Sequence, residues 1–148
     1  MQINFFFRKP QDFPPLERIS LDLCRGHVLD VGAGTGCHSL ELQNRGLSVC
    51  AIDITPEAVE IMQKRGIKDA RCADIFDFKE KPFDTILILN QGIGLVENLP
   101  GLDRFLKDVH KLAKLDGQIL FDSLDVRCTN NSTHLVELFP IFKHLTCA

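Results

Sequence analysis

The chain has 148 residues, 45% of them apolar and 25% charged, which suits one domain with an ordinary globular core and argues against wholesale disorder. A formal net charge of −3 is the wrong sign for holding a polyphosphate backbone, so nucleic acid is not an expected partner. No apolar run approaches the roughly 20 residues of a membrane-spanning helix, and Phe5–Phe7 ahead of Arg8 and Lys9 is too short for a signal-peptide core, so the chain reads as cytoplasmic. Residues 1–13 read as an arm or lid, with Arg8, Lys9 and Phe13 its candidate contacts, and residues 14–148 as the domain it enters.

The spacing predicts a helix over 14–25, with Leu16, Ile19 and Leu23 on its apolar face and Gly26 as its stop. His27–Val31 is a compact apolar strand, and helical spacing returns in Cys37–Arg45 until Gly46. Ser48–Asp53 suits a strand buried on both faces. Thr55 is an N-cap candidate with Pro56 at the first helical position; Val59 and Met62 share the buried face, and Lys64 and Arg65 fill the last turn before Gly66. Residues 67–73 form a weaker strand candidate, and Phe83–Leu89 the strongest one. Leu102, Phe105, Leu106, Val109, Leu112 and Ala113 then trace a helix ending at Asp116-Gly117, and Gln118–Ser123 reads as a fifth strand. This alternation predicts an α/β fold of the Rossmann-like, doubly wound kind, with a mostly parallel sheet of about five strands.

The six cysteines are scattered, with no C-x-x-C pair and no His at ligand spacing, so they read as buried reduced thiols and no metal site is expected. Asn131-Ser132-Thr133 matches a glycosylation sequon only by pattern.

The polar groups are concentrated where the strands end: Asp30, Asp53, Asp74, Asn90, and Asp122 with Ser123. In a parallel sheet these ends share one edge, where ligands bind at the topological switch point. Between the first strand and its helix lies Gly32-Ala33-Gly34-Thr35-Gly36, a turn that brings main-chain N–H groups to a ligand. A dinucleotide fingerprint, G-x-G-x-x-G, requires its third glycine at position 37, where Cys37 stands; the glycine comes one residue early, at Gly36. Asp53 can accept hydrogen bonds from both hydroxyls of a ribose under either nucleotide reading. No G-K-[ST] follows, which excludes a Walker-type phosphate loop.

Val28–Gly36, Ala51–Pro56, Ala73–Phe76, Phe83–Ile86 leading to Asn90, and Leu115–Leu120 together resemble, in order and spacing, the successive motifs of class I S-adenosylmethionine-dependent methyltransferases, with Asp116 in place of a usual glycine. The resemblance covers about residues 14–125. It implies S-adenosylmethionine as cofactor. Gly32, Ala33, Gly34 and Gly36 would lie against its methionine part, with Asp30 near the amino group. Asp53 would hold the ribose, Ile54 would press on the adenine, and Asp74 would accept from the adenine amino group with Ile75 beside it. Asn90, backed by Gln91, would lie closest to the sulfonium. The implied activity is methyl transfer to a small molecule, with no phosphate to hold and no basic clamp expected near the loop. No catalytic residue is assigned: His38 and Glu97 are base candidates that also read as helix-start packing and a solvated loop carboxylate, and His110 reads as solvent-facing.

The family's sheet normally has seven strands, and residues 126–148, where Leu135, Val136, Leu138, Phe139, Phe142 and Leu145 are too apolar for a free tail, have room for one helix broken at Pro140 or a strand but not for all the remaining elements. The fifth strand is therefore expected to be an exposed edge unless this tail or a partner, such as a second copy in a homodimer, covers it. Two alternatives stay open: a non-catalytic cofactor-binding or interaction domain, and an NAD(P)-dependent oxidoreductase.

Overall fold

A computed structural model of the chain describes residues 6–80, 82–90 and 99–122. Five strands, β1 (His27–Val31), β2 (Ser48–Asp53), β3 (Ala70–Cys72), β4 (Phe83–Ile88) and β5 (Ala113–Phe121), form one sheet in the order β3-β2-β1-β4-β5. Every pairing is parallel, as the doubly buried strands predict. The order reverses between β1 and β4, so the switch point falls beside the glycine turn.

Period-two alternation sorts the strand residues onto two faces. Val28, Val49, Leu87 and Leu120 pack with Phe13, with Leu21 of α1 (Pro15–Leu23) and with Leu42 of α2 (Cys37–Asn44). Leu29, Cys50, Ile86 and Ile119 pack on the other face with Phe105 and Val109 of α4 (Leu99–Val109). A third cluster joins Ala51 to Val59 and Met62 of α3 (Pro56–Lys64), the two residues expected on its buried face.

Several expectations need correction. On α1 the buried residues are Glu17, Ser20 and Leu21, whereas Ile19 and Leu23 are 50% and 48% exposed. The helix is turned by about one residue, because Glu17 finds hydrogen-bonding partners inside and its neighbour Arg18 is drawn outward to the carbonyls of Phe13 and Gln11. β3 has only three residues. The last helix stops early: a 3-10 turn covers His110–Leu112 and β5 begins at Ala113, with Asp116 and Gly117 inside the strand and a register shift between the Phe83–Ala113 and Thr85–Gln118 pairs. Thr55 does precede α3, but its side chain makes no cap bond; its backbone N–H donates to Asp53 Oδ1 instead. Of the cysteines, Cys50 is buried and Cys24 and Cys37 are partly covered, while Cys72 is exposed. Burial pushes the Cys24 and Cys50 thiols up to about 12, as inert core thiols require. Among the described residues β5 is the sheet's last strand, and no helix is long and apolar enough to cross a membrane. Ser123, the sequon, Cys128, Cys147 and the apolar tail lie outside the described residues.

Candidate functional site

The loop from β1 to α2 is held open by its neighbours. Ala33 N–H donates to the Ile52 carbonyl at 3.0 Å and Gly36 N–H to the Ala33 carbonyl at 2.8 Å, which closes the turn and stitches it to β2. Gly34 N–H donates to Asp53 Oδ2 at 2.8 Å, and Thr55 N–H to Asp53 Oδ1 at 2.9 Å. Asp53 thus fixes the loop and the start of α3 together. Each of its oxygens keeps a second lone pair for a ligand.

The three glycines do different work. A Cβ at Gly32 or Gly34 would meet nothing within 4 Å, so the loop's outer face is open space. A Cβ at Gly36 would overlap Ile67 and lie 2.9 Å from Met62 Cγ, so Gly36 lets α2 and α3 come together. Ala33 packs partly on that same cluster.

Not every polar strand end reaches the rim. Asp53 is half-buried beside the open loop, and Ile54 is 71% exposed next to it. Asp74 is exposed, with Oδ1 accepting from Phe76 N–H at 2.9 Å; Ile75 beside it is buried in the core. Asn90 is exposed in a left-handed conformation (φ 59°), and its backbone N–H donates to Asp122 Oδ2 at 2.9 Å. Asp30 and Asp122 are buried. Asp30 pairs in register with Ala51, two residues short of Asp53, so its carboxylate lies under the first turn of α2 and accepts from Ser39 Oγ at 2.5 Å. The five polar termini therefore divide into three that are exposed or half-buried, Asp53, Asp74 and Asn90, and two that are buried, Asp122 bonded to the Asn90 backbone and Asp30 to Ser39.

Beneath the loop lies a buried polar group that the sequence did not announce. Glu17 Oε1 accepts from Arg8 Nη1 at 2.9 Å and Oε2 from His38 Nε2 at 2.8 Å, and the Phe13 and His38 rings are 5.1 Å apart. Burial alone would raise the Glu17 carboxyl, but the hydrogen bonds and charges of His38 and Arg8 outweigh it and hold the group below its ordinary 4.5. Asp30 goes the other way: burial dominates and pushes it up, against the pull of His38 and Ser39. His38 is thus packed at the helix start, the bland one of its two readings. A cation also stands beside the loop, contrary to expectation: Arg65, just past the end of α3, donates to the Thr35 carbonyl at 2.7 Å and lies over the Phe7 ring. Neither Arg65 nor Glu17 carried a usable signal, since a cation in a last turn and an acid in a first turn both read as partners of the helix dipole. His110 is exposed, as expected. Gln91 and Glu97 lie outside the described residues. Among the described residues, no cluster of His, Cys, Asp and Glu could hold a metal ion.

The methyltransferase domain family model matches residues 29–121. A magnesium-protoporphyrin O-methyltransferase from Rhodobacter capsulatus is 42% identical over 102 residues, which is 65% of this chain and 45% of that protein. A ubiquinone biosynthesis O-methyltransferase from Xanthomonas oryzae pv. oryzae is 27% identical over 113 residues, 71% of this chain and 46% of that protein. The chain therefore spans about half the length of the curated relatives it matches. A Bacteroides fragilis methyltransferase, solved with S-adenosyl-L-homocysteine, superposes with a TM-score of 0.80 at 44% identity, covering 85% of this chain and 53% of that one. Motif order, sheet order and these likenesses agree: the chain belongs to the class I S-adenosylmethionine-dependent methyltransferases.

Proposed function

We propose that the carboxyl edge of the sheet binds S-adenosylmethionine and directs its methyl group to an oxygen of a small-molecule acceptor. The observation that carries this reading is the open space before Gly32 and Gly34 beside a carboxylate, Asp53, with lone pairs to spare. Its chemistry fits the cofactor, which offers hydroxyl, ammonium and amino donors and carries no phosphate. Arg65 is turned to Thr35 and Phe7, so the cation beside the loop is already engaged. The oxygen acceptor follows the relatives named O-methyltransferases.

When bound, the cofactor supplies an electrophilic methyl group on a positively charged sulfur; the protein's part is positioning and exclusion of water. Asp53 would grip the ribose hydroxyls, and Ile54 would cover one face of the adenine. Asp74 would accept from the adenine amino group, with Ile75 backing it from the core. The Gly32–Gly34 main chain would lie against the amino-acid part, while Asp30, through Ser39, and Gly36, through α3, hold that loop in shape. Asn90, fixed by Asp122, would stand at the reacting end.

Calorimetry with S-adenosylhomocysteine tests the reading. The wild-type protein is expected to bind, and Asp53→Ala to bind about a hundredfold more weakly through loss of two charge-assisted hydrogen bonds. Absence of binding by the folded wild-type protein would overturn it.

A further inference from the structure

The amino-terminal segment touches the α2 end of the loop that the cofactor reading depends on, beside the open space at Gly32 and Gly34. The Phe6 carbonyl accepts from Thr35 Oγ1 and from Cys37 Sγ, and Arg65 holds the Phe7 ring. Arg8 follows, its guanidinium 5.6 Å from the Phe13 ring centre and in ion pair with Glu17. One oxygen of Glu17 therefore grips the strap and the other grips His38, the second residue of α2. The joint is costly to build, because α1 buries this carboxylate and leaves Ile19 and Leu23 half exposed. A buried ion pair adds little stability over an apolar pair of similar size, but losing one partner strands a charge, so its geometry is strongly enforced.

We propose that Glu17 is a positioning residue that latches residues 6–8 against the α2 end of the glycine loop, at Thr35 and Cys37, from where the strap borders the amino-acid end of the bound nucleoside. This rests on the cofactor reading above and adds to it a gate. The strap touches Thr35 and Cys37, whereas the ribose and base positions, Asp53, Ile54 and Asp74, lie toward β2 and β3. The latch therefore acts on ligands that carry the amino-acid tail and is indifferent to those that lack it.

Two readouts test this on wild type, Arg8→Met and Glu17→Gln, the second nearly isosteric in case the first folds poorly. In ligand-free protein, alkylation of Cys37, read by peptide mass relative to exposed Cys72, is expected to quicken about tenfold in both variants as the strap opens. S-adenosylhomocysteine is expected to bind about tenfold more weakly and leave faster, while 5′-methylthioadenosine, which lacks the tail, keeps its affinity. Unchanged Cys37 alkylation overturns the latch. So does equal weakening of both ligands, or quickened alkylation of buried Cys50, since these report general loosening. If the wild type binds neither ligand yet the variants expose Cys37, the latch stands and the cofactor reading falls.

Discussion

Two aspartates make the same bond at opposite ends of the sheet. Asp53 Oδ2 accepts from Gly34 N–H at 2.8 Å at the carboxyl end, and Asp84 Oδ2 accepts from His27 N–H at 2.8 Å at the amino end. A left-handed glycine stands beside each, Gly34 (φ 58°) and Gly26 (φ 64°). What differs is the space in front. A Cβ at Gly26 would overlap the Asp84 carboxylate, whereas one at Gly34 would meet nothing within 4 Å. The amino end is also closed by further bonds: Lys114 on Asp84, Gln118 on Thr85 and the Leu23 carbonyl, and Arg25 on the Asp116 carbonyl. One end spends its polar groups on the fold and the other leaves room for a ligand, so a carboxylate on a backbone N–H is not itself a sign of function.

Alanine at the two glycines sharpens this contrast most. Gly26→Ala combines left-handed strain with displacement of Asp84, and is expected to cost about 3 kcal/mol, or about 10 °C in Tm. The folded fraction should still bind S-adenosylhomocysteine with unchanged affinity in calorimetry. Gly34→Ala carries the backbone strain alone, about 1 kcal/mol, yet its methyl group enters the open face and is expected to weaken the ligand at least about tenfold. If Gly34→Ala bound normally, the two ends would be equivalent and the comparison would fail.

A smaller effect lies in acid. Hydrogen bonds from Lys114 and from the His27 N–H hold the Asp84 carboxyl below its ordinary 3.8. A depressed carboxyl stabilises the fold above its unfolded value, and that contribution is lost as pH falls through the lower folded value. Urea melts across acid pH should therefore show a loss of stability on acidification that is reduced in Asp84→Asn, with no change in ligand affinity at neutral pH.

Much of this was legible in the chain. β1 and β2 lie where apolar run and turn glycine place them, because doubly buried parallel strands leave little freedom in composition. The early third glycine was informative too: Gly36, not position 37, takes the close approach of α2 to α3. α1 departs from its sequence pattern, since a leucine-type face predicts burial only when no carboxylate on the next face has partners waiting. Two of the five polar strand ends, Asp30 and Asp122, are buried for a similar reason. Strand ends align in sequence, but the pleat and register decide which side chains reach the edge, and a two-residue offset puts Asp30 beneath α2.

By itself, the sequence determined the α/β alternation, the glycine turn after β1 and the carboxylate at the end of β2, because these follow from local periodicity and from residue types with few other uses. Only the tertiary structure decided the bearing of α1, the enclosure of Asp30, the Arg8–Glu17–His38 cluster and the reach of Arg65 to Thr35. Each of those joins residues far apart in the chain, and a buried polar group is placed by the partners that satisfy it, which no run of neighbouring residues records.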